Sequence, residues 1–422
     1  MSTTPTPSSS GAAWSVLRYP TFRWMFAAQL ISGIGSFMQL AATNWHIYKL
    51  TGDPVALGLV GLVRVLPIIL LSLVGGVIAD AMDRRRMMLW TQTVMLICAA
   101  LLAYITISGQ VTLAWIYVLT AAMAGASAFD RPAWIALMPN LAPANEIAKV
   151  ARLNTVLIQI TGVLGPVTAG ILLGAVNPGF AYAVNALSFV PVVLALLFVR
   201  VPTRSEEQPR AQVSIGAALE GLRFIRRTPL LWSTMLLDFV ATFFSSALAL
   251  LPVYASDILK VGAEGYGLLY AAPSIGSVFG AIMMAQIAHL IRRQGDLLLV
   301  SVALYGVATV IFGVSTSFWL SAMALFATGL TDCIGMVIRG TLRQVITPDH
   351  LRGRMLSVNM IFFLGGPQLG EFEAGVVARV FSPMVSVVSG GIGTIIAVLW
   401  MAWSIPILRR YREVPDLAEA MD

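Results

Sequence analysis

Charged side chains placed deep inside apolar runs are where this chain has the means to do chemistry. Arg64, Arg131, Asp238, Asp332, Arg339, Arg343 and Glu371 each lie within a stretch made mostly of Leu, Val, Ala, Ile, Gly and Phe. Placing such a residue at bilayer depth costs about 2.5–3.5 kcal/mol on insertion scales, so each marks an expected functional position. A carboxyl withdrawn from water holds its proton more firmly, and can then exchange one near neutral pH. Asp238 and Asp332 are the expected proton carriers. A buried guanidinium shifts a neighbouring acid the opposite way or binds an anionic group on a solute. Arg131 is the candidate for that role, although the adjacent Asp130 could instead neutralise it. Arg64 and Glu371 sit at matching depths, about 10 residues or about 15 Å from one end of their runs. Glu373 is two residues on and points elsewhere. Arg339 and Arg343, one turn apart near the end of a run, are expected to snorkel to the membrane surface. His46 is expected to pack near a helix end, with Trp45, Tyr48, Trp115 and Trp319 in an interfacial aromatic belt.

The elements that carry these residues follow from composition. Of 422 residues, 58% are hydrophobic and 11% charged, with mean hydropathy +0.84. A soluble chain carries about 25% charged residues. The class is therefore an all-α integral membrane protein. Twelve apolar runs are each long enough to cross a bilayer, which takes about 20 residues. Their spans are 21–48, 55–79, 87–107, 112–138, 150–174, 180–199, 230–256, 266–290, 297–314, 318–346, 355–380 and 385–408. The expected layout is a disordered cytoplasmic terminus over 1–20, a six-helix bundle over 21–199 and a linker over 200–228. A second six-helix bundle spans 229–408 and a tail spans 409–422. Ile215 to Arg227 reads as an amphipathic surface helix. Cys98 and Cys333 lie in apolar runs far apart and are expected as free thiols.

Charge sets the expected orientation. With the amino terminus inside, twenty of the 27 Lys and Arg fall on the inner side and three on the outer. Both termini are therefore expected in the cytoplasm, in the cell (inner) membrane. The net charge of +7 is the arithmetic of those loops and does not point to nucleic acid. The halves also repeat. Pro20 answers Pro229, Gln29 answers Asp238, Arg84-Arg85 answers Arg292-Arg293, and Pro143 to Asn154 answers Pro348 to Asn359, at offsets of 205–209. One six-helix unit used twice places a solute site between the halves near the midplane.

With these features the chain resembles the major facilitator superfamily. Gly76, Asp80, Asp83, Arg84 and Arg85 match that family's loop between helices 2 and 3, with Ala81 where a basic residue is usual. The charge network of that loop is therefore expected to be weakened, or re-routed through Arg85 or Arg86. Phe129-Asp130-Arg131-Pro132-Ala133, with Leu137-Met138-Pro139, Pro143, Glu146 and Asn154, is similar to the enterobactin-exporter and macrolide-efflux branch. Gly162, Gly165, Pro166 and Gly170 are similar to the helix 5 motif of antiporters, and Gly365-Gly366-Pro367 with Gly370 is its counterpart on helix 11. Physically, these residues let helices approach closely and bend.

The resemblance implies a cavity lined by helices 1, 4, 7 and 10, with Gln29, Phe37, Phe129, Arg131 and Phe243 as candidate lining residues. Core packing is the alternative for each aromatic. It also implies that Arg64 and Glu371 form a gate between the halves, and that Asp80 works with the helix 11 end as a conformational switch. The expected function is proton-coupled export of a small amphipathic molecule, drug-like or siderophore-like, by a monomer with no cofactor. A nucleotide-binding loop is absent from the sequence, so ATP is not expected to drive it. An importer or facilitator is the alternative within transport. An integral-membrane enzyme or a non-transporting sensor is the alternative outside it, but the three histidines are scattered and form no ligand set.

Overall fold

The computed structural model describes residues 13–81, 83–198, 222–348 and 351–411, and among them every regular element is a helix. Twelve long helices follow the twelve runs. In the first half they are α1 Pro20–Thr51, α2 Pro54–Ala81, α3 Arg84–Ile107, α4 Leu113–Leu137, α5 Ile147–Ala175 and α6 Pro178–Phe198. In the second half they are α7 Pro229–Phe244, α8 Gly262–Ile287, α9 Gln294–Val314, α10 Phe318–Ile346, α11 Arg352–Val380 and α12 Pro383–Ser404. Among the described residues, eleven spans are long and apolar enough to cross a membrane. The exception is α11, whose length suffices but which carries Arg352, Arg354, Glu371, Glu373 and Arg379.

Three sequence expectations change. Residues 13–18, expected as disordered, form a 3-10 helix whose Val16 packs into the core beside α1 and α5. The seventh run is broken rather than continuous. After Phe244 the backbone leaves the helix at Ser245, tightens to 3-10 over Ala247–Leu250 and widens to a π-turn over Tyr254–Ile258. Backbone freed inside a membrane must find partners within the protein. Here the Ser246 hydroxyl lies 2.6 Å from the Thr242 carbonyl and 3.0 Å from that of Pro367. The Tyr305 hydroxyl donates to the Ser245 carbonyl, 3.4 Å. Of the expected surface helix, residues 222–227 are helical, and its remainder lies outside the described residues.

Call the end carrying Ala13 and Tyr411 the basic end, and the opposite one the far end. At the far end a single apolar core runs through both halves, from Met38, Trp45 and Leu57 to Leu250, Tyr266 and Ala374. At the basic end the cores are separate, one around Phe22, Met88 and Trp134 in the first half, and in the second half one around Leu231, Leu298 and Ile338 with a smaller one around Ile225, Met235 and Met355. The halves are thus joined at the far end and parted at the basic end.

Two glycine crossings make the far-end junction. Gly58 of α2 meets Gly375 of α11, and Gly170 of α5 meets Gly267 of α8. A Cβ on Gly375 would come within 2.6 Å of the Pro54 carbonyl, and one on Gly267 within 2.6 Å of the Pro166 carbonyl, so only glycine fits. These are one contact made twice, because Gly58 and Gly267 are repeat mates, as are Gly170 and Gly375.

Candidate functional site

The second half holds a buried charge cluster. Arg339 of α10 lies 2.7 Å from Asp238 of α7 and 3.2 Å from Asp332, two turns back on its own helix. The side chains of Arg339 and Asp238 are 5% and 10% exposed, that of Asp332 36%. This corrects the expectation that Arg339 snorkels. A carboxylate pair lies nearer than the membrane surface, and a buried cation takes the nearer partner. Arg343, one turn on, hydrogen-bonds Asn359 of α11 and the Arg339 carbonyl. It likewise ties helices together rather than reaching the surface. The two expected proton carriers are thus brought together around one guanidinium, which the sequence did not foresee.

Among the described residues the first half has no such cluster. Gln29, the repeat mate of Asp238, keeps a buried side-chain oxygen without a partner. The same asparagine serves both halves: Trp134 of α4 donates to Asn154 at 2.9 Å, as Arg343 donates to Asn359. Asp130 does not neutralise Arg131. It is turned to α3, where it accepts from Thr91 at 2.7 Å and Gln92 at 3.0 Å. Arg131 is left exposed and without a described hydrogen bond or ion pair.

The expected gate residues lie on touching helices. The Glu371 carboxylate oxygen lies 3.0 Å from where a Cβ on Gly61 would stand, one turn from Arg64. None of the described ion pairs joins Arg64 to Glu371, although each is within electrostatic reach of the other. Phe37 packs on Gly165 of α5, Phe129 against the first-half core, and Phe243 against Phe239 and Phe244. Gly162 faces Ser274 of α8, so the helix 5 motif spans both an internal contact and the junction between halves.

In the charged loop, Asp83 caps α3 by accepting from the backbone of Arg85 and Arg86 at 2.8 and 3.1 Å. Arg84 donates to the Ala136 carbonyl at 3.0 Å, and Arg85 to those of Leu196 and Leu197 at 2.5 and 2.9 Å. Both cations thus sit on helix C-termini, where the dipole favours them. The side chains of residues 72–82, with Gly76 and Asp80 among them, lie outside the described residues. Glu146 pairs with Lys149 at 2.8 Å and Arg18 at 3.4 Å.

Several polar groups went unread in the sequence. Tyr48 donates to Asp257 and Lys49 to Ser256 at 2.8 Å, across the halves at the far end. Trp45 is buried against Tyr266 rather than in an interfacial belt, while Trp115 and Trp319 are exposed as the belt requires. His46 shares a buried hydrogen bond with Tyr182, 3.0 Å. Asn185 donates to Gln39. A lone amide in an apolar run was the available signal for this last pair. Cys98 and Cys333 are buried free thiols, as expected.

The comparisons agree with this geometry. A family model described as "Transmembrane secretion effector" matches residues 11–414. An "Enterobactin exporter EntS" of Salmonella choleraesuis is 26% identical over 403 residues, covering 95% of this chain and 96% of its own. One from Escherichia coli O1:K1 / APEC is 25% identical over 408 residues, 96% of each. Among solved structures, a bacterial homolog of the human lysosomal transporter Spinster superposes with TM-score 0.69 at 14% identity, covering 92% of this chain and 96% of that one. A D-xylose-proton symporter gives 0.68 at 12%, covering 91% and 97%. With twelve helices in two joined halves and a family model along almost its whole length, the chain belongs to the transmembrane secretion effector family of the major facilitator superfamily, and is a multi-pass membrane transporter rather than an enzyme.

Proposed function

We propose that the protein exports a small amphipathic solute, siderophore-like or drug-like, in exchange for protons across the inner membrane, with both termini in the cytoplasm. The observation that carries this reading is the Asp238–Arg339–Asp332 cluster. A guanidinium shared by two carboxylates can release one when that one takes a proton, then hold the other. Asp332, the more open acid, is where a proton enters, and Asp238 is the buried acceptor. Since the basic end is expected to be cytoplasmic, the parted cores there correspond to an inward-open state. Arg64 and Glu371, expected to pair across the halves in the inward-open state, form none of the described ion pairs here, so as a gate they close on each other in a different state.

The test is flux in proteoliposomes with an imposed pH gradient, using an enterobactin-like siderophore and a macrolide as first solutes. Asp238→Asn is expected to abolish uphill movement while leaving solute binding, and Asp332→Asn to slow it. Full gradient-driven transport in both variants would exclude the cluster as the coupling site.

A further inference from the structure

We propose that Arg64 and Arg131 form a recognition site for a negatively charged group, so that the transported solute is an organic anion with an apolar body. This deepens the export reading and rests on it only for the word "transported".

Every other arginine within the described spans away from their ends is engaged. Arg339 holds Asp238 and Asp332, and Arg343 holds Asn359. Arg64 and Arg131 have no hydrogen bond or ion pair among the described residues. Instead they lie within electrostatic reach of each other. Two like charges without partners inside a bilayer are costly, and an anion bound to both offsets that cost.

Their placement makes a shared site. The helices that carry them are in contact: Leu71 Cδ1 of α2 lies 2.8 Å, and Pro67 Cβ 3.7 Å, from the Cβ position of Gly125 on α4. On α4, Trp115, Val118 and Ala122 form the stripe exposed to lipid, and Arg131 and Ile135 are exposed about 180° around the helix from it. Exposure on that side is exposure to the space between the halves. On α2, Leu66 and Leu70 face lipid, and Arg64 lies on the opposite side, between the faces packed on α4 and on α11. An anion entering from the parted basic end meets Arg131 first and Arg64 deeper in. Each guanidinium offers a planar fork of donors, which matches a carboxylate, sulfonate or phosphate. Glu371 of the other half, whose carboxylate stands beside Gly61 one turn from Arg64 without pairing to it, is the internal group that competes with the anion for Arg64.

The test uses the purified full-length protein and a matched pair of probes, 2-naphthalenesulfonate and 2-naphthyltrimethylammonium, titrated by calorimetry. Saturable binding of the sulfonate and none of the ammonium is expected. Arg64→Gln and Arg131→Gln should each weaken the sulfonate by about tenfold or more, as loss of a charge-assisted bond does. Arg131→Lys should restore part of it. On the wild-type protein, which avoids any folding defect, phenylglyoxal labelling read by mass spectrometry should show both arginines protected by the sulfonate. Equal binding of the two probes, or no protection at either arginine, overturns the proposal. The assay needs no flux. Anion binding without transport would sink the export reading alone, and transport without anion binding would sink this inference alone.

Discussion

Arg339 is a cation whose removal is costlier than its presence. With Asp238 at 2.7 Å and Asp332 at 3.2 Å, it is the counter-charge that lets two acids share one buried place. Arg339→Ala leaves both without it, and should destabilise the second half by about 3–5 kcal/mol, read as a lower melting temperature in detergent. Arg339→Gln combined with Asp238→Asn should recover much of that loss, since neither residue then carries an unmatched charge. Asp130 differs. Its partners are neutral donors, so Asp130→Ala should cost about 1–3 kcal/mol and leave gradient-driven transport intact. The acids at depth were legible because a charge inside an apolar run is visible in one dimension. The link between Asp238 and Arg339 was not, since it depends on how two helices 101 positions apart are rotated about their axes. The 7-residue spacing of Asp332 and Arg339 was the one readable clue, as two turns return to the same face.

At the scale of elements, the long helices were legible from apolar length, and the break after α7 was not. Ser245 and Ser246 are tolerated in membrane helices, and only the fold shows that at the break their hydroxyls bond the hydroxyl of Thr394 and the carbonyl of Pro367 on other helices. The glycine crossings carry the sharpest prediction at this scale. A Cβ on Gly267 would come within 2.7 Å of Gly170 Cα. Gly267→Val should therefore hold the far end open without unfolding the half that carries it. Cysteines introduced along the far-end lining should then label faster than in the parent protein, and unchanged labelling would mean that the crossing is not the seal. The capped loop gives a smaller effect: Asp83→Ala should cost about 0.5–2 kcal/mol through the start of α3.

For the whole molecule, the repeat was legible as recurring anchors, and the structure gives it a spatial meaning. Tyr48 and Asp257 stand 209 positions apart, the repeat offset, and they meet. Residues that answer each other in sequence touch where the two halves face across their pseudo-symmetry axis. Which end was closed could not be read, because both states of such a molecule are built from the same helices. The orientation is open to direct measurement. A cysteine at Lys260 should react with an impermeant reagent added to intact cells, and one at Arg293 only after permeabilisation; the reverse pattern would invert the topology.

All five described ion pairs lie inside one half or the other. The described links across the far end are instead glycine backbone and the hydrogen bonds of Tyr48, Lys49 and Tyr266. Mobile ions weaken exposed charge pairs and leave close-packed backbone unaffected. The balance between the closed and open far end should therefore be nearly indifferent to ionic strength. A cell facing brackish or dilute surroundings would keep the same switching equilibrium, and its transport rate would follow solute supply and the proton gradient rather than the salinity outside.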